Sequence, residues 1–183
     1  MNLRLRPPAA ALALLATAVL TACSASVSVG DADAVSAEKL EQAIASKITV
    51  DGGEGDLESA GIDLTCDDEL PAEVDASVDC FGTDADGGVT GFRPVVTAVD
   101  GTDVEFDAGL FLPGDTLAEQ VGAQLAEQGY TVESLDCEEV DGEVGATSTC
   151  TAQVEGAAEP DELAITIEEV DGLRFRFGYE VAG

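Results

Sequence analysis

Four cysteines in two similarly spaced pairs are the residues of this sequence whose type and spacing could do chemistry. Cys66 precedes Cys80 by 14 positions, and Cys137 precedes Cys150 by 13. Thiols could bind a metal, act as nucleophiles or form disulfides. Zinc ligands usually stand only a few positions apart within a pair, and no cluster here has that spacing. Disulfides are therefore the better interpretation, and four cysteines allow three pairings.

Carboxylates are the other reactive groups, and their abundance makes any one pair unspecific. The chain has 38 acidic residues and no histidine, and its Lys39 and Lys47 lie on a predicted exposed helix face, so a hydrolytic triad or dyad is not expected. Asp67-Asp68-Glu69 and Glu138-Glu139 are interpreted as solvated loops. Asp84-Ala85-Asp86-Gly87 resembles a calcium loop, but Val95 stands where the closing Glu belongs. The sequence predicts no catalytic, cofactor-binding or metal-ligating residue and no enzyme.

The charge excludes one class of partner. A formal net charge of −31 repels phosphate backbones, because nucleic-acid affinity comes mainly from Lys and Arg. Nucleic acid is therefore not expected as a partner. The acidity itself favours a solvated surface that keeps the protein soluble and monomeric; the alternative is a dedicated cation-binding role.

The amino-terminal sequence indicates an export signal. Arg4 and Arg6 precede an apolar run too short to span a bilayer, and Leu20-Thr21-Ala22-Cys23 follows. This tetrapeptide resembles the lipobox of bacterial lipoproteins, which implies cleavage before Cys23 and a lipid on its thiol. The alternative is an ordinary signal peptide cut nearby, which leaves a free thiol. We expect an exported protein attached to the outer face of the cell membrane through Cys23.

Two copies of one unit follow. Cys66 aligns with Cys137, Cys80 with Cys150, and Val-Asp-Gly at 99–101 with the same residues at 170–172, at offsets of 70 or 71 positions. Because a duplicated unit most simply closes its own loop, we predict Cys66–Cys80 and Cys137–Cys150 disulfides.

A helical pattern opens each copy. Ser36 is the expected N-cap of the first helix, which ends near Lys47. Thr116 and Glu119 are expected to form the capping box of the second, which stops at Gly129. The apolar stripes are Leu40, Ile44 and Ile48 in the first copy, and Leu117, Val121 and Leu125 in the second.

Four β-strands are predicted after each helix, and the last two meet at an Asp-Gly hairpin signal. A three-residue loop with Gly172 left-handed pairs Ile167 with Phe175 and gives one continuous apolar face. The same register sets Val96 against Val104 in the first copy. The predicted strands are 62–66, 77–81, 90–99, 102–108, 130–137, 146–154, 163–170 and 173–180.

The predicted fold class is therefore α+β, with two tandem copies of a helix packed on a four-stranded antiparallel sheet, each with one disulfide inside the copy. The expected divisions are a signal peptide at 1–22, a tether at 23–34, units at 35–108 and 115–183, and a linker at 109–114. Leu110-Phe111-Leu112 in that linker is expected to pack between the units and not to form an exposed patch.

The loop from Cys66 to Cys80, with Leu70-Pro71-Ala72 and Val74 inside it and Val99-Asp100-Gly101 after it, resembles domain of unknown function 4333. Asp75 stands where the family pattern has glycine, and the second copy keeps Gly145. The resemblance implies a lipoprotein or membrane-anchored protein of high-GC Gram-positive bacteria, often with tandem domains, and it implies no activity.

The functional hypothesis is a non-enzymatic, lipid-anchored envelope protein that binds an unknown envelope protein or small ligand. The alternatives are a carboxylate-dependent hydrolase of an envelope glycan and an inhibitor or sensor of a secreted partner.

Overall fold

The protein is mostly β. A computed structural model describes residues 23–28, 33–48, 57 and 60–181, of which 52% are in strands and 16% in helices. Two helices and twelve strands lie in this part of the chain, and the strands form a curled antiparallel arrangement of several sheets. The predicted α+β class, with a helix on each of two tandem four-stranded sheets, is therefore wrong. The predicted signal peptide lies outside the described residues.

The elements follow one another in a repeated order, and we call α1 to β7 the first unit and α2 to β12 the second unit. Their bounds are β1 Cys23–Ser28, β2 Ala34–Val35, α1 Ala37–Ala45, β3 Asp63–Cys66, β4 Leu70–Pro71, β5 Cys80–Thr83, β6 Val89–Asp100, β7 Asp103–Leu112, α2 Gly114–Glu127, β8 Val132–Cys137, β9 Val140–Asp141, β10 Thr147–Val154, β11 Asp161–Asp171 and β12 Arg174–Val181.

The sheets are unequal because two additional strands attach to β7. The first sheet has the order β1-β7-β6-β5-β3, and β9 of the second unit pairs with the far end of β7. The second sheet has the order β12-β11-β10-β8, and β2 pairs with β4 separately. Sequence comparison within the chain could not foresee either addition to β7.

The first helix forms where the apolar stripe predicts it. Ser36 is its N-cap residue, and Leu40 and Ile44 are fully or almost fully buried. Ile48, just beyond the helix, is also buried. These residues pack into the core of the first unit with Val96 and Phe106 from the sheet.

The second helix starts earlier than predicted. It begins at Gly114, so Thr116 lies inside it and the predicted capping box is wrong. Pro113 is its N-cap residue, and the proline ring fixes the φ of −58° found there. Gly129 has φ of 89° directly after the C-cap, as predicted. The predicted stripe is confirmed, since the buried residues of the helix are Leu117, Val121 and Leu125.

The predicted hairpin registers are wrong by two residues. Ile167 pairs with Phe177, not Phe175, and Val96 pairs with Phe106, not Val104. Each hairpin turns tightly, because its glycine has positive φ, and the register then shifts just after Ile167 and just after Val96. The shift is a β-bulge, which leaves one residue without an opposite partner. The observed loop is one residue shorter than predicted. The bulge compensates for this, so the apolar residues of the hairpin still lie on one continuous face.

The disulfide loop docks on the residue before this bulge in both units. In the first unit Asp75 donates its backbone N–H to the carbonyl of Val96, at 2.9 Å. In the second unit Gly145 donates to Ile167 at 2.8 Å. Both donors have positive φ, 69° for Asp75 and 91° for Gly145. The two units therefore require the same left-handed turn, which glycine adopts more readily than aspartate.

Two segments expected to be connections are strands. Residues 23–28 of the expected tether form β1, which pairs with β7 over six residues. Residues 109–112 of the expected linker are the end of β7. Phe111 and Leu112 are 2% and 1% exposed, so the expected packing of this apolar run is confirmed for both. Leu112 belongs to the core of the second unit.

Candidate functional site

Two disulfides link the outer strand of each sheet to its neighbour. Cys66 of β3 is bonded to Cys80 of β5, and Cys137 of β8 to Cys150 of β10. Each bonded pair also lies directly opposite in register. These are the pairs predicted from the duplication. The four thiols are thereby cross-links within the units.

Cys23 begins an ordered strand. Its backbone lies opposite Ala108 of β7. The residue expected to carry a lipid is thus held at the sheet. No helix in the described ranges combines the length and apolar character needed to cross a bilayer.

The acidic runs remain solvent-exposed in the structure. The side chains of Asp67, Asp68 and Glu69 are exposed, as are those of Glu138 and Glu139. Within the described ranges, no three His, Cys, Asp or Glu side chains come together as a metal site.

The loop that resembles a calcium site is closed by its own backbone. One carboxylate oxygen of Asp84 accepts hydrogen bonds from the N–H groups of Asp86, at 2.9 Å, and Gly88, at 2.8 Å. The N–H of Asp84 donates in turn to the carbonyl of Gly88. This Asp84 oxygen, which would face a cation in a calcium loop, accepts backbone hydrogen bonds that stabilise a tight hairpin loop instead.

Arg93 joins the two units. From β6 it donates to both carboxylate oxygens of Asp79, at 2.6 and 3.0 Å, and to both of Glu139, at 2.8 and 3.1 Å. Its guanidinium also lies 4.5 Å from the ring centroid of Phe111. Its hydrogen bonds to Asp79 first, and then to Glu139, hold the pKa of Arg93 above its ordinary value. We call these four residues the Arg93 cluster.

The Arg93 cluster packs closely because the backbone beneath it is small. A Cβ at Gly91 would lie 2.3 Å from the Phe111 ring, so only glycine leaves room for that ring. Phe81 meets the same ring edge-on, with centroids 5.9 Å apart. Paired rings at this distance stabilise each other beyond their buried area.

An open cleft of about 430 Å³ lies beside the Arg93 cluster, between the units. Its lining residues are Asp79, Phe81, Phe111, Pro113, Gly114, Asp115, Cys137 and Glu139. This lining combines two aromatic rings with three carboxylates, which suits a ligand with an apolar group and hydrogen-bond donors. The carboxylates of Asp79 and Glu139 are already engaged by Arg93, which makes them positioned acceptors and not a free catalytic pair.

The outer edges of β7 and β12 differ. β1 covers β7, and its Ser24, Ser26 and Ser28 stand opposite Asp107, Glu105 and Asp103. The hydroxyl of Ser28 donates to the carboxylate of Asp103. β12 pairs with β11 alone, and no strand of the described chain lies on its other side.

Sequence reasoning missed the Arg93 cluster and the difference between these edges. Arg93 had one signal, since it is one of only seven basic residues in the chain. β1 had another, since Ser24 to Ser28 alternate strictly between serine and apolar residues, as a half-buried strand does. The sequence predicts Glu139 to be part of a solvated loop, because nothing local shows that Arg93 approaches it.

Comparisons of this chain with protein-family models, with curated proteins and with solved structures give no match.

Proposed function

We propose that this protein is a non-enzymatic, lipid-anchored interaction module on the outer face of the bacterial cell membrane. The observation that carries the proposal is the pair of cross-strand disulfides downstream of Leu20-Thr21-Ala22-Cys23. Disulfides persist in exported proteins and are rare in the cytosol, so both features support the same location.

The interaction role is supported by the cleft beside the Arg93 cluster. The cleft is lined by two aromatic rings and by acceptors whose positions a single guanidinium fixes. Rigid polar groups beside apolar rings are typical of ligand sites. An envelope protein or a small ligand with an apolar group flanked by donors would match this lining.

The location is tested by mass spectrometry of the full-length chain expressed in a bacterium that processes lipoproteins. We expect loss of residues 1–22, acyl groups on Cys23, and a mass four hydrogens below that of the reduced chain, from the two disulfides. Cys23→Ala should abolish both the acyl groups and the cleavage that the lipobox directs, so residues 1–22 should remain on the chain, whereas Ser24→Ala should be cleaved and acylated like the parent. Reduced, unacylated protein in the cytoplasm would contradict the proposal.

A carboxylate-dependent hydrolase is the rival that the same residues allow. Glycosidases need two carboxyls roughly 5–10 Å apart, and Asp79 and Glu139 are the acids that Arg93 brings together. Turnover of an envelope glycan that disappears in both Asp79→Asn and Glu139→Gln would defeat the non-enzymatic proposal. We expect no turnover by the parent chain or by either variant, with all three proteins folded as judged by circular dichroism.

A further inference from the structure

β12 is an edge strand whose counterpart in the first unit is not. With the offset of 71 positions between the two Val-Asp-Gly turns, β12 corresponds to β7. β7 has β1 on its outer side, whereas in the described structure β12 has a partner only on its inner side. A row of backbone donors and acceptors on an edge strand is a template for pairing with another strand.

The burial of the apolar side chains also differs between β7 and β12. Val104 and Phe106 of β7 are 0% exposed beneath β1. Their counterparts on β12 are Phe175 and Phe177. Phe177 is buried as well, but Phe175 remains partly exposed, as does Tyr179 further along the strand. The core face of β12 therefore presents aromatic surface that an added strand would cover.

The edge is also held in place at both ends. Leu173, in the turn before β12, packs against the core of the first unit. The amide of Gln128, at the end of α2, donates to the hydroxyl oxygen of Tyr179 at 2.6 Å. An edge that is ordered in advance loses less conformational entropy when a strand pairs with it.

We propose that β12 pairs antiparallel with β12 of a second copy of this chain, around a two-fold axis at Phe177. Arg174 of each copy then lies opposite Glu180 of the other, and Phe175 opposite Tyr179. Opposite charges and aromatic pairs directly across an antiparallel ladder stabilise it. The two four-stranded sheets become one sheet of eight strands, and both α2 helices lie on the same face.

The charges select this register over its neighbours. A shift of one residue would exchange the two faces of one strand. A shift of two toward the start of β12 sets Arg176 against Arg176, and like charges directly opposite are destabilising. A shift of two the other way leaves Arg174 opposite no residue of β12. Two of the seven basic residues of the chain lie on β12, and their positive charge lowers the repulsion between two acidic chains at this edge.

The test is sedimentation velocity of the full-length chain carrying Cys23→Ala, so that acylation plays no part and the outcome is independent of the proposed location. We expect a dimer whose fraction rises with protein concentration. Arg174→Glu alone and Glu180→Arg alone should each weaken dimerisation about tenfold or more, because each sets like charges opposite at two symmetric positions. The double variant should restore the dissociation constant to within about threefold of the parent value.

Glu133→Arg is the matched control, since it makes the same charge change at an exposed site on β8, the other edge of the sheet. It should leave dimerisation unchanged. A chain that stays monomeric up to its solubility limit overturns the proposal. So does a dimer that neither single variant weakens, or one that the double variant fails to restore.

Discussion

The two units of this protein repeat one order of elements and yet present different edges. Both carry a disulfide between opposite residues, a bulge after the same core position, and a left-handed turn docked on it. Among the described residues, β7 receives additional strands, β1 along one part and β9 at its end, and β12 receives none. Val104 is consequently fully buried, whereas its counterpart Phe175 is not. A single added strand thus decides whether the outer edge of the sheet is covered, as at β7, or left as an edge strand, as at β12.

The disulfides test whether the two units depend equally on their cross-links. We expect Cys66→Ala with Cys80→Ala to lower the free energy of unfolding by about 3 kcal/mol, and Cys137→Ala with Cys150→Ala by about the same. The reason is that the closed loops span 14 and 13 residues, and the entropy of the unfolded chain depends on loop length. Urea unfolding measures both values. A difference above about 1 kcal/mol between them would break the equivalence.

Detaching β1 should make the first unit resemble the second. Ala25 is 7% exposed and lies opposite Phe106. A carboxylate there would be desolvated without a partner, so in Ala25→Asp we expect β1 to leave the sheet, at a cost of about 2 kcal/mol. Hydrogen exchange of the Val104 and Phe106 amides should accelerate, while that of Phe177 stays unchanged.

Ser26→Ala is the control for that variant, because Ser26 is exposed on the other face of β1. It should change the free energy of unfolding by less than about 0.5 kcal/mol. Unchanged exchange at Val104 in Ala25→Asp would mean that β1 does not protect β7.

Substitution of Arg93 tests whether the two units unfold together. Arg93→Met removes paired hydrogen bonds to Asp79 and Glu139, which are 34% and 50% exposed, so we expect a loss of only about 1 kcal/mol. Calorimetry should then show the thermal transitions of the two units moving apart. Arg176→Met is the control, since Arg176 is 68% exposed and bonded to Glu169 within its own unit. One unchanged transition in Arg93→Met would show that β7 and β9 suffice to couple the units.

Substitutions in the left-handed turn should change the free energy of unfolding least, and one of them should raise it. Asp75→Gly should stabilise the first unit by about 0.5 to 1 kcal/mol, because glycine adopts a φ of 69° without steric cost. Gly145→Asp should destabilise the second unit by a similar amount. Urea unfolding measures both, and two changes of the same sign would show that the turns are not equivalent.

The sequence was sufficient for features that depend on local spacing. The stripe of Leu117, Val121 and Leu125 predicts α2, and the duplicated cysteine spacing predicts both disulfides. The predicted capping box is wrong because the helix begins at Gly114, with Pro113 as its N-cap residue, so Thr116 lies inside the first turn. Local pattern therefore located the helices better than it located their ends.

Features that depend on long-range pairing were missed. The bulge had a readable signal, since the apolar alternation changes phase between Ile167 and Val170, and again between Val96 and Val99. No local pattern, however, shows that β1 adds to β7 or that Arg93 meets Glu139. The fold class failed for the same reason, because strands from outside a unit complete its sheet.

The cross-strand cysteines also set how far the molecule can be stretched. A force applied at residue 23 would first unzip β1, which only hydrogen bonds and side-chain packing hold to β7. Beyond that point, the two cross-linked loops withhold 14 and 13 residues from extension. At roughly 3.4 Å per residue, about 90 Å of contour length would appear only after reduction.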